Sequence, residues 1–93
     1  MNLKTEDADM HGAEFINTDL GDAQFRDVNL GGAQFTDVNL AAARFEDVSL
    51  GGVTIINANC SDLSISDANY DGMRIEGILV TELLRVYRDS QAS

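Results

Sequence analysis

Side chains able to do chemistry are few in this 93-residue chain, and their spacing does not bring them together. His11 is the single histidine, with no cysteine or acidic ligand spacing around it, and it reads as a solvent-exposed turn residue. Cys60 is the single cysteine, so no intrachain disulfide can form, and it sits in the apolar series described below, as a small core hydrophobe does. Glu46 and Asp47 are adjacent in sequence, whereas a pair of catalytic carboxylates must converge across a cleft. Asp27, Asp47 and Asp67 recur at intervals of twenty, as do Asn39 and Asn59. Such ladders can share a cation, but Asp and Asn more often bond turn backbone. Neither a phosphate-binding nor a dinucleotide-binding glycine loop occurs, nor does H-E-x-x-H or a paired-cysteine spacing. The expectation is no catalytic residue, no metal and no cofactor.

The elements that position these residues follow from one period. Large apolar side chains recur every fifth residue: Met10, Phe15, Leu20, Phe25, Leu30, Phe35, Leu40, Phe45, Leu50, Ile55, Cys60, Ile65, Tyr70, Ile75 and Val80. Two residues before each stands a second, usually smaller apolar group, Thr18 being the exception. A helix repeats its apolar face every 3.6 residues and a half-buried strand every 2.0, so neither sustains this pattern. A strict short repeat signals a solenoid, whose units are too small to bury their own apolar face and must stack on neighbours. The absence of proline suits a backbone whose N–H groups are committed to ladders.

The units, AEFIN, TDLGD, AQFRD and VNLGG among them, run in phase through residues 8 to 82. They resemble the A(D/N)LXX pattern of the pentapeptide-repeat family. The resemblance implies an all-β solenoid, a right-handed quadrilateral β-helix with four units per coil. On that fold the series from Phe15 to Ile75 is the core stack, about four coils tall, or roughly 18 Å at the spacing of stacked strands. Residues twenty apart then share a face: Phe15, Phe35, Ile55 and Ile75 on one, Phe25, Phe45 and Ile65 opposite, with Met10, Leu30, Leu50 and Tyr70 on a third and Leu20, Leu40, Cys60 and Val80 on the fourth. The chain divides into an edge segment over residues 1–7, in which Leu3 is in phase with the inward series, the β-helix over 8–81, and a helix and tail over 82–93.

Uncovered strand edges at the ends of such a stack invite association, so each end needs a cover. Beyond Val80 the period of five stops, and Val80, Leu83, Leu84 and Tyr87 fall at helical spacing, with Thr81 placed as an N-cap. The expectation is a short capping α-helix over residues 82–89, lying across the last coil. Leu79 and Val86 fall away from the capping stripe. The set Leu79, Leu83, Leu84, Val86 and Tyr87 is therefore the candidate cap or homodimer contact, a tail-to-tail dimer being what the quinolone-resistance branch of the family implies.

Outward positions carry the charge. Residues 8 to 82 hold thirteen acidic side chains against three basic ones. Spread over about 18 Å, that net charge approaches the linear density of duplex DNA, about one charge per 1.7 Å. Asp19, Asp22, Asp62 and Glu82 form the most acidic face and the candidate interaction surface, with no basic residue among them. Arg26 and Arg44 lie near Asp27, Glu46 and Asp47 as ordinary surface ion pairs. Gly12, Gly31, Gly32, Gly51, Gly52 and Gly72 make a nearly bare strip, which either serves tight corners with positive φ or offers a smooth contact surface. The sign of the field disfavours direct nucleic-acid binding. With no signal peptide or membrane span in the sequence, the expected compartment is the cytoplasm. Two functions fit: a non-enzymatic module that presents a rigid acidic rod to a protein partner, or a DNA mimic that occupies the DNA-binding surface of a type II topoisomerase such as gyrase.

Overall fold

The computed structural model describes residues 4–91; Leu3 lies outside the described residues. Strands β1 (Lys4–Asp9), β3 (Gln24–Asn29), β5 (Arg44–Glu46) and β7 (Ser64–Ser66) stack in parallel as one sheet, and β2 (Glu14–Ile16), β4 (Gln34–Thr36) and β6 (Thr54–Ile56) as a second. The register is twenty residues throughout: Phe15 pairs with Phe35 and Phe35 with Ile55, while Phe25 pairs with Phe45 and Phe45 with Ile65. Single bridges Asp19–Asn39–Asn59 and Asn29–Ser49–Asn69 form the other two sides, completing a four-sided β-solenoid. The ladder already begins at Lys4, within the segment set aside as an edge.

The aromatic core is ordered as the period requires. Phe15 stacks on Phe35 and Phe25 on Phe45, each with ring centroids 4.8 Å apart, the rise of one coil. Across the interior the two columns meet edge to face at 6.5 Å, the geometry that the ring quadrupoles favour. The corners use backbone conformations with positive φ. Asn17, Asp27, Asp37, Asp47, Asn57 and Asp67 turn one pair of corners, and Gly12, Asp22, Gly32, Ala42, Gly52, Asp62 and Gly72 the other. Four of the six glycines of the strip are thereby explained; Gly31 and Gly51 have no such φ.

The Asn39–Asn59 ladder, extended by Asp19, bonds turn backbone, whereas Asp27, Asp47 and Asp67 turn corners with positive φ. Asp19, Asn39 and Asn59 accept hydrogen bonds from the N–H of Gly21, Ala41 and Ser61, and Asn39 also donates to Asp19 Oδ1 at 3.1 Å. The Gly21 N–H, and secondarily Asn39, hold the Asp19 carboxyl below the usual carboxylate range. Asp9, Asn29 and Asn69 repeat the arrangement on the opposite side, where Ser49 interrupts it.

The C-terminal end departs from expectation. The ladder makes about three turns, because β8 (Arg74–Ile75) leaves the stack before pairing with β6. It pairs antiparallel with β9 (Ile78–Leu79) in a hairpin, Arg74 opposite Leu79 and Ile75 opposite Ile78. Glu76 and Gly77 form its two-residue turn, with φ of 50° and 78°, the pairing of positive angles found in a type I′ turn. Helix α1 follows directly as Val80–Gln91, so Thr81 lies inside it and is not its N-cap. It buries no side chain fully. The molecule measures 43 × 26 × 20 Å. A stack of about three turns, roughly 14 Å at the spacing of stacked strands, accounts for that length only if the hairpin and α1, itself about 18 Å long, continue beyond it.

Candidate functional site

Burial follows the stacking and not the repeat. Leu20, Phe25, Leu30, Phe35, Leu40, Phe45 and Leu50 are buried, as the core series predicts, and Phe15 and Tyr70 are half-buried. Cys60, Ile65 and Ile75 are exposed instead, and Ile55 is half-buried, because nothing stacks on the last coil at those columns. Cys60 is therefore a free thiol at the surface and not a core residue. The same cause opens an apolar groove of about 540 Å³, lined by Val53, Ile55, Ala58, Cys60, Leu63 and Ile65 on one side and by Met73, Arg74, Ile75 and Glu76 on the other, with Asn57 between.

The backbone around this groove is also unfinished. In each lower coil the carbonyl before a strand accepts from the next coil, as Ala13 does from Gln34 and Ala33 from Thr54; the residue after the strand donates upward, as Asn17 does to Thr36 and Asp37 to Ile56. The corresponding groups of the last coil, the Val53 carbonyl and the Asn57 N–H, have no such partner among the described residues. Edge strands β6 and β7 read Thr-Ile-Ile and Ser-Ile-Ser, without a charge. The N-terminal edge, β1 and β2, carries Lys4, Glu6, Asp7, Asp9 and Glu14. Charges on an edge strand deter pairing with another chain, so one end of the rod is guarded and the other is not.

Helix α1 extends the apolar surface. Leu79, Leu83, Val86 and Tyr87 are exposed along one stripe, between 37% and 61%, while Leu84 and Val80 are half-buried and Val80 packs against the core. Arg85 lies in the middle of α1. It bonds Glu82 and, at 2.9 Å, Asp89. Its guanidinium holds the Glu82 carboxyl below the usual range, and Glu82 in turn raises the Arg85 pKa.

Of the acidic face, Asp19 belongs to the hydrogen-bonded ladder, and Asp22 and Asp62 turn equivalent corners twenty residues × two apart in register, with Ala42 between them. Glu82 stands apart on α1 with Arg85 as counter-charge, so the expectation of a face without basic residues fails there. Arg26 and Arg44 form no ion pair; among the described residues the pairs are Lys4–Glu6, Glu82–Arg85 and Arg85–Asp89. His11 is an exposed turn residue whose N–H donates to Asp9. Among the described residues no three His, Cys, Asp or Glu side chains gather as a metal site would need, and no helix is long and apolar enough to cross a membrane. The groove carried one sequence signal that the period masked: Glu76-Gly77 between Ile75 and Ile78 has the form of a two-residue hairpin.

Comparison with known proteins agrees with this geometry. Two family models, both described as pentapeptide repeats, match residues 5–44 and residues 33–69. No curated protein matches the chain. Among solved structures it is similar to the 2.0 Å crystal structure of HetL, a pentapeptide repeat protein involved in heterocyst differentiation regulation from the cyanobacterium Nostoc sp. strain PCC 7120, at 17% identity and a TM-score of 0.44. That match covers 72% of this chain and 39% of HetL, so this chain spans well under half the length of that protein. With its fifth-residue apolar series, its twenty-residue register and both repeat models in agreement, the chain belongs to the pentapeptide-repeat family.

Proposed function

We propose that this protein is a non-enzymatic protein–protein interaction module that docks its partner through the C-terminal end of the rod. The observation that carries the reading is the contrast between the two ends: charged edge strands at one, and at the other two uncharged edges around an apolar groove, continued by the open stripe of α1. Unpaired edges supply backbone hydrogen bonds to an incoming chain and the groove supplies apolar contact. A second copy of this chain satisfies the same surface, tail to tail about a two-fold axis, with Leu79, Leu83, Val86 and Tyr87 meeting their equivalents. Its single exposed, unpaired cysteine suits the reducing cytoplasm, where we place it.

Light scattering tests the self-association. A dimer that Leu83→Asp converts to monomer is expected; wild-type protein that remains monomeric at every concentration sinks the homodimer. For a different partner, Ile65→Asp should abolish capture while leaving the melting transition in place, and undiminished capture by that variant would move the docking site elsewhere.

A second reading, a DNA mimic directed at a type II topoisomerase, draws on the exposed column Asp7, Asp27, Asp47 and Asp67, which repeats one carboxylate per coil at equivalent corners. Purified gyrase would then lose supercoiling activity in the presence of this protein. Unchanged supercoiling at large molar excess refutes that reading.

A further inference from the structure

Glu76 is out of place in the backbone pattern of this molecule. Every other non-glycine residue with positive φ has a number ending in 2 or 7, the corner positions of the coil, whereas Glu76 occupies the strand position held by Ile16, Thr36 and Ile56. Gly77, beside it, has the positive φ that Asn17, Asp37 and Asn57 have at the same corner. The hairpin path and the solenoid path thus diverge at a single residue, and that residue is held in a left-handed conformation that a side chain with a Cβ disfavours.

We propose that residues 74–91 are a strap with two seats. In the open seat, described above, β8 pairs with β9. In the closed seat Glu76 becomes extended and β8 lies parallel on β6, Ile75 over Ile55, in the twenty-residue register of the rest of the fold. The Val53 carbonyl and Asn57 N–H then gain the partners that every lower coil provides. Ile78 and Val80 fall on the columns of Ala58 and Cys60, closing the groove. A Cβ added at Gly72 or Gly77 would meet nothing within 4 Å, so neither glycine is wedged against a neighbour. In the open seat the strap is held by the short β8–β9 pairing, by the Val80 N–H donating to the Met73 carbonyl at 2.9 Å, and by Val80 packing against the core. The consequence is control of access: partner docking requires the open seat. That consequence rests on the proposed docking end, whereas the two seats do not.

The test reads the seats directly through Cys60, which lines the groove. Glu76→Gly removes the penalty on the open seat, and Glu76→Ile raises it, since a β-branched residue tolerates positive φ least and suits a strand best. Iodoacetamide should alkylate Cys60 in Glu76→Ile at least fivefold more slowly than in wild type, and in Glu76→Gly at least as fast as in wild type. Equal rates in all three, or the reverse order, overturn the proposal. So does a protection that grows with protein concentration, because a second copy and not the strap would then be the cover. As a second measurement, Ile55→Cys with Ile75→Cys in a Cys60→Ser background should form an intramolecular disulfide on mild oxidation, which needs the two Cα atoms within about 7 Å. A folded variant that forms no bridge also overturns the closed seat. If the seats are established but Ile65→Asp leaves partner capture intact, the docking reading fails alone.

Discussion

The coils from Leu20 to Leu50 and the coil from Val53 to Ile75 are written in the same repeat, yet they end in different states. Phe35 is fully buried and Phe45 nearly so, while Ile65 is 37% exposed and Ile75 52% exposed. Composition does not explain the difference, since isoleucine is at least as often buried as phenylalanine. Position does. An inward residue of a solenoid is covered by the coil above it and the coil below; the last coil has only one neighbour, and β8, which carries Ile75, has left the stack. The repeat sets the direction in which a side chain points, and the stack sets whether water reaches it.

The comparison can be broken by substitution, and the largest effect belongs to the middle of the rod. Phe35→Arg would bury an unpaired charge and should abolish cooperative unfolding, whereas Ile75→Arg should leave a normal melting transition. Truncation grades the same contrast. Phe35→Ala should cost about 3–5 kcal/mol in denaturant titration, a large part of the roughly 5–15 kcal/mol available to a domain; Ile75→Ala, half exposed at the outset, should cost about 1 kcal/mol or less. Equal losses at the two positions would mean that the end is as well covered as the middle.

The turn ladders carry the contrast to smaller scale. Asn39 accepts from the Ala41 N–H of its own turn and donates to Asp19 in the adjacent coil, while Asn59 has the single bond from Ser61 N–H. Asn39→Ala should therefore cost about 1 kcal/mol and Asn59→Ala roughly half that, differences that chemical denaturation resolves. The smallest effect lies on α1. The Glu82 carboxyl is held below its ordinary range by Arg85, so its contribution is present above the carboxylate range and is lost as pH falls through the folded value. Glu82→Gln should lower helical circular dichroism slightly at neutral pH and leave it unchanged in acid. A difference that instead grows in acid would show that the Arg85 contact does not support the helix.

Most of the fold was legible because the period of five has one structural solution. The columns Phe15–Phe35–Ile55 and Phe25–Phe45–Ile65 and the backbone-bonding use of Asn39 and Asn59 could be read from the sequence, whereas left-handed corners at residues such as Asn17 and Asp37 could not. The C-terminal end was not legible in the same way. Ile75 and Val80 keep the rhythm of five, so the period placed them in a fourth coil that the chain does not complete. Glu76-Gly77 was the competing local signal, and the two disagree over only a few residues. Helical spacing after Val80 showed a helix and its apolar stripe, but spacing says nothing about which surface the stripe faces.

Sequence alone determined what each five-residue unit does: which side chains point inward and where the negative charge is displayed. These are local properties, fixed by side-chain type and backbone preference within one unit. Tertiary structure decided what lies on top of each unit. Cys60 is exposed, the β6 edge is open and α1 leaves its stripe uncovered because β8 turns back on β9, a choice between two pairings that depends on contacts twenty residues apart on one path and three residues apart on the other.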